Sequence, residues 1–112
     1  MLFTIPSLTA DLSQIRLEIR ALQSQLVTWR RQLHQKPELA FSECLTAELI
    51  AQNLKKMGID FMSEIAQTGI VATIKSPYPG PVLAIRADMD ALPIFEENEV
   101  DYRSQHDGKM HA

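Results

Sequence analysis

Two carboxylates follow a short apolar run in the second half of the chain, and their type and spacing would suit acid–base chemistry. Val82–Ile85 are four consecutive apolar residues, which predict a buried strand. The period of two along a strand then places Asp88 and Asp90 on the same side. Pro93 cannot donate a backbone hydrogen bond, so we expect the strand to end near Leu92. Acidic groups at the carboxyl end of a strand are where open α/β sheets place their chemistry.

The same spacing is also typical of a purely structural role. Aspartate is common just after strands because its short side chain hydrogen-bonds to the backbone of turns. On spacing alone, a turn or capping role for Asp88 and Asp90 is favoured over catalysis.

Length and composition indicate one ordinary globular domain at most. The chain has 112 residues, of which 46% are apolar and 22% charged, and its net charge of -3 predicts no basic surface for nucleic acid or for an anionic membrane. No apolar run approaches the about 20 residues that a membrane-spanning helix needs. Cys44 is the single cysteine and is predicted to be a small buried side chain on a helix, so no internal disulfide forms. We expect a cytoplasmic protein without a nucleic-acid or membrane partner.

Helical periodicity is clear in two stretches. From Thr9 to Gln35 the apolar residues recur at alternating steps of three and four, which predicts one helix that packs on a sheet. This apolar stripe consists of Leu12, Ile15, Ile19, Leu22, Leu26, Trp29 and Leu33. A second helix is predicted from residue 43 to 57, with Ser42 as its N-cap and Gly58 as its left-handed end. The first stripe also fits a coiled-coil seam, so the alternative function is a non-catalytic helical dimerisation or interaction module with self-association.

Between the second helix and the carboxylates the pattern changes to that of strands. Ile59–Ile65 and Gly69–Ile74 are predicted strands, and the proline-rich turn Ser76–Pro81 follows them. This turn is too short to hold a crossover helix, so the strands at Gly69 and Val82 are expected to be antiparallel neighbours. The predicted fold class is α/β, with two helices packed on a mixed, partly antiparallel sheet of about three strands.

The remaining titratable residues do not form a metal-binding motif. His34, His106 and His111 are far from one another in sequence, and none has a second ligand type at His-x-His or His-Glu-x-x-His spacing. His34 lies at a predicted helix end, where a capping or supporting role is favoured. The acidic run of Glu96, Glu97, Glu99 and Asp101 is predicted to be a solvated loop.

A longer string around the two carboxylates carries a family resemblance. Residues 86–94, Arg-Ala-Asp-Met-Asp-Ala-Leu-Pro-Ile, resemble the signature of the N-acyl-amino-acid amidohydrolases. These are the hippurate-hydrolase and auxin-conjugate-hydrolase branch of the aminoacylase and carboxypeptidase-like metallopeptidases. Further blocks in the same order are similar to this family: Trp29–Glu43 with its His-x-x-Pro-Glu turn, Thr68–Ala72, Tyr102–Ser104 and Gly108–Ala112.

The resemblance implies that residues 1–112 are the amino-terminal part of a larger α/β/α metallopeptidase catalytic domain. Such an enzyme cleaves the amide bond of small N-acyl amino acids with two divalent ions, zinc or manganese. The family's metal-binding sequence is usually Met-His-Ala-Cys-Gly-His-Asp, in which the Cys and the second His are ligands. This chain matches it only from Met110 to Ala112. The resemblance therefore implies no metal ligand in this chain, no tight metal binding and no activity of the chain alone.

The resemblance also implies catalytic roles for the two carboxylates. In the wider metallopeptidase family a His-x-Asp motif stands at the place of Asp88-Met89-Asp90, with its His as a metal ligand. Asp90 matches the aspartate that orients the site and raises the basicity of a ligand group. Asp88 stands at the place of the ligand histidine. The substrate-binding residues are not indicated by any motif.

Overall fold

The computed structural model describes residues 12–112, which divide into two compact units. The described part of the first unit is 12–31, and the second unit is Gln32–Ala112. The predicted start of the first helix at Thr9 lies outside the described residues. None of the helices between residues 12 and 112 is long and apolar enough to cross a membrane.

The predicted first helix is found as two segments, α1 (Leu12–Ala21) and α2 (Gln23–Gln35). At Leu22 the backbone N–H bonds to Glu18 O at 3.3 Å and to Ile19 O at 3.1 Å, which tightens the turn locally. Leu26 N still bonds to Leu22 O at 3.0 Å, so the helical path continues through this residue. The sequence pattern therefore predicted the helical stretch correctly but not its single irregular residue.

The apolar stripe is exposed from Leu12 in α1 to Leu26 in α2, although its burial was predicted. Leu12 is 68% exposed and Ile19 is 56% exposed, and Leu22 at 54% and Leu26 at 48% are similar. No residue of α1 is buried. Periodicity identifies which face of a helix is apolar, but burial also requires a surface to cover that face, and the described part of the first unit supplies none.

The second unit contains α3 (Cys44–Lys56) packed against a hairpin of β1 (Asp60–Ile65) and β2 (Gly69–Thr73). The strands are antiparallel, with Asp60 opposite Thr73 and Met62 opposite Val71, and an irregularity lies between Met62 and Ile65. Gly58 ends α3 with φ of 67°, as predicted. Cys44 is exposed at the first turn of α3, so its predicted burial is wrong. A helical position is not enough for burial, because a side chain on the outer face of the first turn is not covered by another element.

The predicted strand at Val82 is not formed, and neither is its antiparallel pairing with the strand at Gly69. Instead β2 pairs with β1, and no helix or strand is assigned from residue 74 to 90. Val82 is 96% exposed, Leu83 83% and Ile85 88%. A run that is apolar on both faces needs strands beside it and layers above and below it, and residues 12–112 do not provide them.

The observed class is α/β, as predicted, with three helices and a two-stranded antiparallel sheet. Its most buried part lies in the second unit and is largely polar. Pro37 is fully buried, and Ala91 and Thr46 are each 3% exposed. Glu43 at 7% and His34 at 8% are buried as well. Buried polar groups require hydrogen-bond partners, and those partners define the candidate site.

Candidate functional site

The two predicted site residues, Asp88 and Asp90, lie in different surroundings. The Asp88 carboxylate is 62% exposed and forms an ion pair with Arg86, with 2.6 Å between Oδ1 and Nη2. Asp90 is half-buried and directly precedes the buried Ala91. Because an exposed ion pair contributes about 0–1 kcal/mol, the Arg86–Asp88 contact does not fix the Asp88 side chain strongly.

The backbone just after Asp90 is fixed from two sides. Ala91 N donates to Glu38 O at 2.7 Å, which forms a parallel bridge with the loop after α2. Leu92 and Met110 exchange two backbone hydrogen bonds, at 2.9 and 3.1 Å, as an antiparallel bridge. The short segment at Ala91 therefore lies between two other parts of the chain, and Asp90 stands at its edge.

His111 is the titratable side chain that the fold brings next to Asp90. Burial lowers the pKa of His111, and the nearby His34 lowers it further. The Asp90 charge and a hydrogen bond to the Asp90 backbone act in the opposite direction, but the net pKa is below the ordinary value. His111 Nε2 is buried without a hydrogen-bond partner. The imidazole beside Asp90 is therefore neutral at pH 7 and has one nitrogen left to interact.

A buried carboxylate–imidazole pair lies close to these residues. Glu96 Oε1 is 2.9 Å from His34 Nε2, and the two side chains are only 2% and 9% exposed. Glu96 Oε2 accepts a short hydrogen bond from the backbone N–H of Ser104. The Ser104 N–H, followed by His34, holds the pKa of Glu96 below its ordinary value. The prediction that Glu96 is a solvated loop residue is wrong, whereas its neighbours Glu97 and Glu99 are exposed as predicted.

The segment that follows Glu96 contacts the end of α2 at several points. The rings of Tyr102 and His34 meet edge to face with 5.7 Å between their centroids. Gln105 N donates to Gln35 O at 3.0 Å, and His106 Nδ1 lies 3.1 Å from Pro37 O. We call this set the polar junction: His34, Pro37, Glu38, Asp90, Ala91, Glu96, Ser104, His106 and His111. It supports the prediction that His34 has a supporting role at a helix end.

Glu38 connects the polar junction to the start of α3. Its carboxylate accepts from Leu45 N at 3.1 Å and from Thr46 N at 2.8 Å, so it satisfies free N–H groups of the first turn. The predicted N-cap Ser42 is wrong, since the residue at the cap position is Glu43 and its side chain makes no capping bond. A carboxylate that reaches the helix from a preceding loop takes the place of the local cap. Local sequence rules consider only the residue next to the helix.

Glu43 serves as a second buried anchor. Its carboxylate accepts from Thr68 Oγ1 at 2.7 Å and so connects the start of α3 to the hairpin. Burial alone would raise the pKa of Glu43, but the hydrogen bonds from Thr68 and from the backbone of Phe41 and Ser42 outweigh it. The net pKa of Glu43 lies below its ordinary value, so this carboxylate is ionised at neutral pH.

The residues from 12 to 112 do not assemble a metal centre by themselves. Among them no group of three or more His, Cys, Asp or Glu side chains lies close enough to hold an ion. Asp88 is paired with Arg86, and His34 and His106 are occupied by Glu96 and Pro37. What the arrangement does offer is a half-buried carboxylate, Asp90, beside a neutral imidazole with a free nitrogen.

Comparison with known proteins gives clear relatives. No family model matches the sequence. The chain is 40% identical over 99 residues to an N-acyl-L-amino acid amidohydrolase of Geobacillus stearothermophilus, covering 88% of this chain and 27% of the relative. It is 42% identical over 95 residues to a hippurate hydrolase of Campylobacter jejuni, covering 85% of this chain and 25% of the relative. The chain thus spans about a quarter of the length of the curated relatives it matches.

A solved structure shares the fold. A Bacillus subtilis protein, described as a dinuclear metal binding peptidase from the M20 family, superposes with a TM-score of 0.76 at 42% identity. The match covers 82% of this chain and 26% of that one. Sequence and fold together identify this chain as homologous to part of the N-acyl-amino-acid amidohydrolases and M20-family peptidases, as its signature predicted.

Proposed function

We propose that this chain forms the amino-terminal part of the catalytic domain of a metal-dependent amidohydrolase that cleaves the amide bond of N-acyl amino acids. The observation that carries the proposal is the combination of 42% identity and a TM-score of 0.76 with a dinuclear metal binding peptidase. Relatives named for N-acyl amino acid and hippurate hydrolysis support a small-molecule amide as the substrate. The proposal includes a cytoplasmic location and no nucleic-acid or membrane partner.

In this proposal Asp90 is the carboxylate that orients a metal-binding group. Its half-buried position, one residue before the fixed Ala91, suits a residue that must hold one orientation. Asp88 is proposed as its catalytic companion, which requires the exposed Arg86–Asp88 pair to open. The energy needed to open this pair is small, because exposed ion pairs contribute about 0–1 kcal/mol.

Two divalent ions, zinc or manganese, belong to the proposed complete enzyme rather than to this chain alone. When bound, such ions polarise the amide carbonyl and activate water. The described residues of this chain do not form a site for two metal ions, since no three ligand side chains converge among them. We therefore propose that the chain by itself binds no metal tightly and hydrolyses no amide.

This part of the proposal is tested by incubating the purified chain with zinc or manganese and an N-acetyl or N-benzoyl amino acid. We expect no stoichiometric metal after desalting and no release of amine above the level of the Asp90→Asn variant. Bound metal is measured by elemental analysis and the amine by a colorimetric assay. Stoichiometric metal together with fast amine release would overturn the proposal that the chain is inactive alone.

One observation favours a second candidate function, a helical dimerisation or interaction module. The apolar stripe along α1 and the first half of α2 keeps alternating steps of three and four and is exposed from Leu12 at 68% to Leu26 at 48%. This candidate requires a dimer that survives dilution and that Leu22→Asp converts into a folded monomer in sedimentation experiments. A stripe that instead packs on another part of the same polypeptide gives a monomeric wild type.

A further inference from the structure

The buried pair of Glu96 and His34 is the most strongly connected feature of the polar junction, and neither residue is one of the two predicted carboxylates. The two residues are 62 positions apart in sequence, with 2.9 Å between Glu96 Oε1 and His34 Nε2. Both side chains are more than nine-tenths buried. Hydrogen bonds that involve an ionised partner are shorter and stronger than neutral ones, so this contact is suited to joining distant parts of the chain.

Each member of the pair also contacts a third segment. The second oxygen of the Glu96 carboxylate accepts from Ser104 N, and the Glu96 backbone carbonyl accepts from Arg103 Nη2 at 3.1 Å. The His34 ring lies against the Tyr102 ring. The groups that face the pair are Asn98, Tyr102, Arg103 and Ser104 from the segment after Glu96, and His111 through its charge interaction with His34.

Two segments of the chain connect the pair to the surroundings of Asp90. Along α2, His34 is followed by the loop whose Glu38 carbonyl accepts from Ala91 N at 2.7 Å. Along the other segment, the chain runs from Ser104 to Met110, which bonds to Leu92, and to His111 beside Asp90. The contact between Glu96 and His34 closes this ring of contacts at the end opposite Asp90.

We propose that Glu96 is a positioning residue, which through His34 and Ser104 holds the segment from Tyr102 to His111 so that the His111 imidazole stays beside Asp90. Glu96 itself contacts no reacting group. This inference rests on the proposed function only for the role of Asp90 in orienting a metal-binding group. The mechanical connection from Glu96 to His111 stands independently of activity and is tested without it.

The test compares the wild-type chain with Glu96→Gln and uses Glu97→Gln as the matched control, because Glu97 is the exposed neighbour in the same run. Nuclear magnetic resonance gives the exchange rate of the Ser104 amide and the midpoint pH for protonation of the His111 ring. For Glu96→Gln we expect at least 10-fold faster exchange at Ser104. We also expect the His111 midpoint to rise toward the free value of about 6.5, because a loosened segment exposes the ring to water.

Glu97→Gln is expected to change neither readout. A Glu96→Gln chain that keeps the wild-type Ser104 exchange and His111 midpoint contradicts the proposal. A Glu96→Gln chain in which Ser104 exchanges faster and His111 is unaffected also contradicts it, since Glu96 would then hold its own loop only.

A measurement on the wild type covers the case in which Glu96→Gln unfolds. The proposal predicts that the Ser104 and Met110 amides exchange through one common opening, with protection factors that agree within about 3-fold as urea is added. Exchange of Met110 with a different urea dependence from Ser104 rejects the connection. Neither result depends on whether Asp90 acts in amide hydrolysis, so a failure of the proposed function remains distinguishable from a failure of this inference.

Discussion

At the scale of single residues, the surroundings of Asp88 and Asp90 separate their roles. The Asp88 side chain is 62% exposed and pairs with the exposed Arg86, whereas Asp90 is half-buried next to Ala91 and His111. A side chain that must hold one orientation benefits from neighbours that exclude other rotamers. The structure therefore favours Asp90 as the residue with a defined geometry and leaves Asp88 free to move.

Glu38 gives a prediction at the same scale. We expect Glu38→Ala to lower the free energy of unfolding by about 1–2 kcal/mol, because the N–H groups of Leu45 and Thr46 lose their acceptor at the start of α3. The measurement is urea denaturation followed by circular dichroism. Glu99→Ala, in an exposed position, is the control and should change stability by less than about 0.5 kcal/mol. Equal effects of the two substitutions contradict the capping role of Glu38.

The sequence allowed the positions of some site residues to be predicted but not their partners. Asp90 was proposed as a site residue because it lies in a recognisable string, residues 86–94, and His34 was given a supporting role because it lies at a helix end. Glu96 was missed because Glu97 and Glu99 look the same in sequence, and only the fold brings His34 and Ser104 to one of the three. A contact between residues 62 positions apart, such as His34 and Glu96, produces no local pattern in the sequence.

At the scale of elements, the hairpin depends on one glycine. A Cβ on Gly69 would lie 2.6 Å from the backbone oxygen of Ile65, which is closer than real Cβ atoms approach other atoms. The three-residue turn before it, 66–68, has positive φ at Ala66 (50°) and Gln67 (89°). The register of β1 and β2 is thus set by the turn and by the close approach at its end.

We predict that Gly69→Ala destabilises the chain by about 1–3 kcal/mol, because the backbone at Ile65 must shift to admit the methyl group. Gly80→Ala is the matched control, since a Cβ at Gly80 meets nothing within 4 Å. Thermal or urea unfolding measures both variants. If Gly69→Ala were as stable as Gly80→Ala, the close contact at Ile65 would not constrain the hairpin.

The helices and the hairpin strands could be predicted from sequence because each carries its own period. The step of three and four marked α1, α2 and α3, and Gly58 marked the end of α3. The prediction of a strand at Val82 was wrong. A continuous apolar run indicates that both faces of a strand would need packing partners, but it does not show that such partners are present. Val82 at 96% exposure shows the difference between a tendency to be buried and burial itself.

At the scale of the whole molecule, apolar side chains remain exposed in both units. In the second unit Ile74, Val82, Leu83 and Ile85 are 82–96% exposed, and in the first unit Leu12 is 68% exposed. Large exposed apolar surfaces are typical of chains that bind another protein surface or self-associate. We therefore expect the isolated chain to associate with itself at high concentration. This expectation agrees with the comparisons, in which the chain matches only about a quarter of the length of each longer relative.

The most direct test of the central claim, that Asp90 belongs to an amide-hydrolysing site, is a chimera. This chain replaces the 99-residue matching region of the Geobacillus amidohydrolase, and hydrolysis of an N-acetyl amino acid is measured with zinc or manganese. We predict an active chimera in which Asp90→Asn lowers kcat/KM by about 10–100-fold, while the exposed Asp101→Asn leaves kcat/KM unchanged. A folded chimera without activity, or one in which Asp90→Asn is as active as the unsubstituted chimera, contradicts the claim.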